Sequence, residues 1–239
     1  MNEHAIRELM CRVGQQMHAT GLVEGTAGNL SARLSEERIL TTPSGLAKGE
    51  LLPEQMIIVN LNGQRVDTPT EANAHLRPTS ELMLHLECYK VRPDVQAVVH
   101  AHPPHVVAMT IAGYDLGQVM VPEMVILLGI VPTLPYTTPG STEGRDAVGT
   151  AVREHDAMVL AYHGSLTVGN NLSEAYRRLE SLEHTARILT LVQQLGGAKG
   201  GLNREQVEAL IAIRTRLGRM RPGDEARFLD RVTQVSNEA

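Results

Sequence analysis

The stretch Val95-Gln96-Ala97-Val98-Val99-His100-Ala101-His102-Pro103 decides how the chain reads. Its β-branched and small residues favour a strand, and along a strand alternate side chains share one face. His100 and His102 therefore project to the same side. A second apolar run, Ala157-Met158-Val159-Leu160-Ala161-Tyr162, ends at His163, and if the two strands are neighbours its ring meets the other two. Three neutral imidazoles suit a borderline divalent ion such as zinc. Three protein ligands leave room for a water or a substrate, which is the catalytic pattern, whereas a structural site calls for a fourth Cys or His. In a chain with 10 histidines a His-x-His pair also arises by chance, so the pair alone leaves both readings open.

Working outward, Pro78-Thr79-Ser80-Glu81 opens a helix through about Val91, with Leu82, Leu84, Leu86 and Tyr89 as its apolar positions. A proline, a hydroxyl cap and an acid are what a helix start prefers, and such a start is also a ready anion site. Before it, residues 68–77 are polar and read as loop, and residues 56–61 form a strand closed by Asn62-Gly63, a hairpin signal. Arg38 to Thr42 is a short strand leading into the small-residue turn Pro43-Ser44-Gly45. Gly25-Thr26-Ala27-Gly28-Asn29-Leu30-Ser31 allows positive φ and close backbone approach, with several N–H groups able to face a ligand. A plain turn fits the same residues. Residues 5–18, with Ile6, Leu9, Met10, Val13 and Met17 at intervals of three and four, describe an amphipathic helix stopped by Gly21.

On the other side, Pro103-Pro104 starts a helix that Gly113 ends, and residues 119–129 are apolar apart from Glu123, a lone acid of the kind that usually sits on an exposed face. Residues 130–136 read as a strand, Pro139-Gly140-Ser141-Thr142 as a cap and residues 143–154 as a helix. Residues 165–168 pair back through Gly164 against 157–162. Residues 172–195 form the longest periodic segment, residues 203–219 one more helix, and the polar tail from Arg221 is expected to be loosely held. Nothing marks an internal boundary, so residues 1–220 read as a single domain and 221–239 as its tail. Strands alternate with turns as often as with helices, and no Gly-x-Gly-x-x-Gly follows a first strand. An α+β or mixed three-layer α/β domain therefore fits better than a doubly wound parallel sheet.

Composition narrows the function classes. With one Phe and no Trp the core must be aliphatic, and the 10 Met are its filler. A net charge of -5 with no basic stripe or aromatic platform argues against nucleic acid as partner. No run approaches the ~20 apolar residues of a membrane span, and Met1-Asn2-Glu3-His4 does not resemble a signal peptide. Cys11 and Cys88 fit no metal or redox spacing and lie in helical patterns, which points to buried free thiols and a cytoplasmic location.

Gly25-Thr26-Ala27-Gly28-Asn29-Leu30-Ser31, Thr42-Pro43-Ser44-Gly45, Arg77-Pro78-Thr79-Ser80-Glu81, Val99-His100-Ala101-His102 and His163-Gly164 occur in the order and spacing of the class II aldolase/adducin family. Over residues 5–195 the chain resembles its L-fuculose-1-phosphate aldolase branch, which also contains L-ribulose-5-phosphate 4-epimerase. The resemblance implies a three-layer α/β/α domain with a largely antiparallel central sheet, assembled as a homotetramer with active sites at subunit interfaces. It implies that His100, His102 and His163 hold zinc, or another divalent ion such as Mn2+ or Co2+. Glu81 would touch the metal at rest and act as general acid/base once substrate displaces it. The loops of Thr26, Gly28, Asn29, Ser44 and Gly45, with the hydroxyl pair Thr79-Ser80, would hold a phosphate.

The activity so implied is reversible cleavage of a ketose 1-phosphate to glycerone phosphate and an aldehyde. The epimerases usually carry Asp in place of Glu81 and use a tyrosine near the C-terminus, whereas the last tyrosine here is Tyr176. Both points favour an aldolase. One departure concerns the leaving half. Where the fuculose phosphate enzyme has a catalytic tyrosine after its His-x-His, this chain has Pro122-Glu123-Met124. Glu123, reaching a neighbour's site, would handle the proton of the C4 oxygen, and the aldehyde would be smaller or less polar, as from 5-deoxy or 5-methylthio pentulose phosphates. The same scaffold also admits a sugar-phosphate 4-epimerase, a methylthioribulose-1-phosphate dehydratase or a keto acid phosphate decarboxylase. Intact His100, His102, His163 and Glu81 speak against a non-catalytic adducin-like module.

Overall fold

The computed structural model describes residues 1–237. In chain order come helix α1 (Glu3–Ala19), strands β1 (Asn29–Ser35), β2 (Arg38–Thr41) and β3 (Ile57–Val59), helix α2 (Leu82–Val91), strand β4 (Ala97–Ala101) and helix α3 (Pro104–Ile111). They are followed by β5 (Thr133–Leu134), α4 (Thr142–Ala151), β6 (Ala157–Leu160), β7 (Gly164–Gly169), α5 (Leu172–Gln194), α6 (Arg204–Arg216) and α7 (Asp224–Asn237). The strands form one seven-stranded sheet in the order β3-β2-β1-β4-β7-β6-β5. Every pairing is antiparallel except that of β5 with β6. This is an α/β fold with a largely antiparallel sheet, as expected.

Alternation along the strands divides the core. Leu40, Ile58 and Val99 pack with Met10, Val13 and Met17 of α1 and Leu172 and Leu179 of α5. Their neighbours Ile39, Ile57, Val59 and Val98 pack with Leu84, Cys88 and Tyr89 of α2, Val148 of α4 and Val152 just after it. Full burial of such aliphatic side chains stabilises the fold by roughly 1.5–3 kcal/mol each. Cys11 and Cys88 are both buried and unbridged. Among the described residues no helix is long and apolar enough to cross a membrane.

Four local expectations are corrected. The small-residue loop yields to strand at Asn29, because Leu30 and Ala32 alternate into the core and the following residues pair with both β2 and β4. The strand expected over residues 130–136 shrinks to Thr133–Leu134, since the flanking Pro132 and Pro135 cannot donate to a ladder. The run ending at His163 is not a neighbour of β4: β7 lies between them, and His163 sits in the turn joining β6 to β7. Over its described residues, 221–237, the tail is not loose; residues 238–239 lie outside the described residues. Phe228 of α7 is fully buried beside Val125 and Val207, and buried Arg214 of α6 pairs with Asp224 at 3.0 Å while donating to the Val125 carbonyl at 3.1 Å. Residues 119–129 contain a π-helical turn, Met124–Leu128, closed by Gly129 at φ +83°.

Candidate metal and phosphate site

The site lies at the C-terminal end of β4. His100 is held between Asn29 of β1 and Leu166 of β7 in register, and its Nδ1 donates to the Ser165 carbonyl at 2.9 Å, leaving the lone pair on Nε2. That Nε2 is 3.0 Å from Nε2 of His102 and 3.1 Å from Oε2 of Glu81. His163 completes the group, its Nε2 3.5 Å from Oε1 of Glu81, and the three ring centroids are 4.8–4.9 Å apart.

The chain brings His163 there by a tight route. Tyr162, just before it, has φ 61°, the only positive φ outside glycine among the described residues. Such strain persists where the surroundings over-determine it. Gly164 lets β7 approach β4 closely, for a Cβ there would sit 2.3 Å from the Ala101 carbonyl oxygen and 3.0 Å from the His102 ring.

Each site group carries the charge a metal needs. Burial opposes ionisation of Glu81, yet the adjacent His100 imidazole, the Asn29 amide and the His163 imidazole outweigh it and hold the carboxyl well below its usual range. Burial, then charge on the neighbouring rings, pushes His102 down to about 4, and burial likewise lowers His163. The four ligand atoms lie within 4.8 Å of one another. Oε1 of Glu81 is buried with no hydrogen-bond partner. Lone pairs converging with an orphaned carboxylate oxygen fit a divalent cation, and this His3Glu set suits a transition ion better than magnesium or calcium.

A second set of residues, His85, Ser31 and Tyr89, missed in the sequence, fixes Glu81 through Asn29. Asn29 donates to Glu81 Oε2 at 3.0 Å, so its carbonyl oxygen accepts from Nε2 of His85 at 2.5 Å. His85 Nδ1 then accepts from the Ser31 hydroxyl at 2.7 Å, and Ser31 accepts from Tyr89 at 2.8 Å. Burial drives His85 down to about 3 and lifts Tyr89 above its usual value, so the imidazole is neutral and the phenol keeps its proton. Every polar atom of this buried chain has one defined role. The signal was present: Glu81, His85 and Tyr89 recur every four residues, which is one face of a helix.

Beside the metal group opens a cavity of about 440 Å3. Thr26, Gly28, Asn29, Ser44, Gly45, Thr79 and Ser80 all line it, together with Glu81, His102, His163 and Lys48. Gly28, at φ +71°, could not be replaced without a Cβ meeting Val23 at 2.5 Å and the His100 carbonyl at 2.9 Å. The Ser44 and Thr79 loops are tied by a bridge between Pro43 and Pro78. Glu123 is not brought to this cavity within the single chain; it is exposed at the start of the π-helical turn.

Comparison with known proteins agrees with this geometry. Residues 8–190 match the model of the class II aldolase and adducin N-terminal domain. The chain is 31% identical over 194 residues to 3-oxo-tetronate 4-phosphate decarboxylase of Escherichia coli, covering 80% of this chain and 88% of that one. It is 32% identical over 195 residues to 5-deoxy-D-ribulose 1-phosphate aldolase of Bacillus thuringiensis, covering 81% and 88%. The crystal structure of YgbL from Klebsiella pneumoniae superposes with a TM-score of 0.78 at 30% identity, over 88% of this chain and 99% of that one. The chain belongs to the class II aldolase and adducin family.

Proposed function

We propose that the protein is a zinc-dependent lyase that breaks a carbon–carbon bond in a small phosphorylated keto sugar and releases glycerone phosphate. The observation that carries this is Glu81, orphaned at one oxygen, facing three imidazoles on the wall of a cavity whose other wall is two small-residue loops. A divalent ion held by His100, His102, His163 and Glu81 supplies Lewis acidity where negative charge develops. The loop N–H groups and hydroxyls of Thr26, Ser44, Thr79 and Ser80 anchor the phosphate, which orients the carbon chain. In a ketose 1-phosphate the C3–C4 electron pair passes to C3, and Glu81, once substrate displaces it and it takes a proton from solvent, delivers the proton that C3 takes up.

For a ketose 1-phosphate of the L-fuculose or 5-deoxy/5-methylthio-pentulose type, the other fragment is an aldehyde, and a base must remove the C4 hydroxyl proton. We assign that base to Glu123 of an adjoining subunit in a homotetramer. A second reading is supported by the decarboxylase relatives and by the exposed position of Glu123. Loss of carbon dioxide from a 3-oxo-tetronate 4-phosphate breaks its C1–C2 bond, leaves the pair on C2 for Glu81 to protonate and gives the same three-carbon phosphate, with no hydroxyl proton to remove. The division of the core into two clusters supports a three-layer α/β/α arrangement, and the free thiols support a cytoplasmic location.

The test is metal analysis with a screen of ketose 1-phosphates and the 3-oxo acid phosphate, scored by glycerone phosphate and by its partner product. Aldehyde or carbon dioxide separates the two readings. A His102→Ala protein that keeps its metal, or a screen with no glycerone phosphate from any substrate, refutes both.

A further inference from the structure

One ionisable group lining the cavity has no part in the reaction as proposed. Lys48 is 1% exposed, and its Nζ donates to the backbone oxygens of Thr26 at 2.8 Å and Leu46 at 2.6 Å. An ammonium has three protons, so two are thereby placed. Among the described residues no carboxylate pairs with it, and burial alone pulls it down to about 8, which leaves it cationic at neutral pH. A buried cation without a counter-ion is costly to keep. The structure nonetheless seats it firmly: a Cβ on Gly14 of α1 would lie 2.3 Å from the Lys48 carbonyl oxygen, and one on Gly49 would lie 2.9 Å from the His18 ring. The two oxygens it holds belong to different loops, one carrying Thr26 and Gly28, the other Ser44 and Gly45. Of the other titratable groups lining the cavity, Glu81 is an anion and His102 and His163 are metal ligands, so Lys48 is the fixed positive charge.

We propose that Lys48 is the charge contact of the phosphate subsite, clasping the two loops from beneath and giving its third N–H to a phosphate oxygen of the substrate. This rests on the phosphorylated-substrate reading above. The cation then gains its counter-ion only when the ligand binds, and an unphosphorylated sugar leaves it unpaired. A carboxylate is the other anion the same ammonium could take, and the position between loops rich in backbone N–H groups favours the phosphate.

The experiment titrates metal-loaded full-length protein with inorganic phosphate and, separately, with acetate, using isothermal calorimetry. Lys48→Met removes the charge and both loop hydrogen bonds, whereas Lys48→Gln removes the charge and keeps a donor for the loops. Circular dichroism and metal content identify folded protein. The expected result is phosphate binding by the unsubstituted protein that weakens about tenfold or more in both variants, with acetate binding unchanged. Phosphate affinity unaltered in Lys48→Gln overturns the assignment, as does a loss confined to acetate. If the unsubstituted protein binds no phosphate, the phosphorylated-substrate reading fails with it, which is a distinct outcome from a failure of Lys48 alone.

Discussion

Replacing His85 with leucine isolates the hydrogen-bonded chain behind Glu81. His85 is fully buried and touches no ligand atom of the metal group except through Asn29. Leucine removes the donor to Asn29 Oδ1 and the acceptor for Ser31. Each orphaned buried partner costs about 1–3 kcal/mol. Ser31 keeps its contact with Tyr89 at 2.8 Å, so the total falls toward the lower half of that sum, about 2–4 kcal/mol. Asn29 is then free to turn its amide, and Glu81 loses a fixed donor. Loss of such a supporting contact weakens divalent-ion affinity about 10- to 100-fold.

The pH dependence gives the sharper reading. Burial first, and then the charge of His100, sets His85 near 3 in the folded protein, against an ordinary value of 6.5. Below the ordinary value the unfolded chain takes up a proton that the folded chain refuses. The contribution of neutral His85 is thus complete above about pH 6.5 and is lost on acidification at about 1.4 kcal/mol per pH unit. The variant has no such group. Urea unfolding of the two proteins with a chelator present should show a gap at pH 7.5 that narrows by about 2 kcal/mol at pH 5. Parallel stability curves, or a variant as stable as its parent, would refute the role given to His85.

Glu81→Gln should keep metal through the three histidines and lose about 10²- to 10⁴-fold in turnover, measured as kcat beside metal content. Gly164→Ala should cost about 1–3 kcal/mol and lower metal content, because its Cβ would press on the Ala101 carbonyl and the His102 ring; thermal unfolding and metal analysis check both. Phe228→Ala, emptying the fully buried position of α7, should destabilise by about 3–5 kcal/mol in urea while metal content stays constant. Chelation alone should lower stability by about 2.7 kcal/mol at a free metal concentration 100 times the Kd, read from unfolding curves with and without added metal.

Where local periodicity and local chemistry agree, the sequence was enough. The helices α1, α2 and α5 followed from apolar spacing, and the cap expected before α4 is displayed by Ser141, which accepts from Gly144, whereas the hydroxyl cap expected for α2 does not form, its N-cap being Glu81 with no side-chain cap bond. Strand β1 was hidden because its alternating Leu30 and Ala32 adjoin a glycine-rich loop, and only pairing on both sides shows where the loop stops. The tail misled for the opposite reason: its many charges mask Phe228 and Val232, four residues apart, which a helix turns to one side. At the site, strand alternation was enough to pair His100 with His102. Lys48 stayed illegible, and the helical spacing that marks His85 gives it no role by itself, because a buried lysine or a neutral histidine acquires its role from elements distant in the chain, here α1 and β1.

The division of labour within the fold explains how one scaffold carries more than one leaving fragment. The groups assigned above to the three-carbon phosphate sit on the central strands and the adjoining helix: His100 on β4, Asn29 on β1 and Glu81 at the head of α2. A change there disturbs paired strands, buried hydrogen bonds and the core beneath, so this half of the reaction is expensive to alter. Glu123, the base assigned above to the other fragment, is instead exposed at the start of the π-helical turn. Substitution at such a position disturbs little packing. On the reading proposed above, an aldehyde or carbon dioxide would leave from the same centre with the central strands unchanged, so identity spread over the whole domain says less about the leaving fragment than the side chain that meets it.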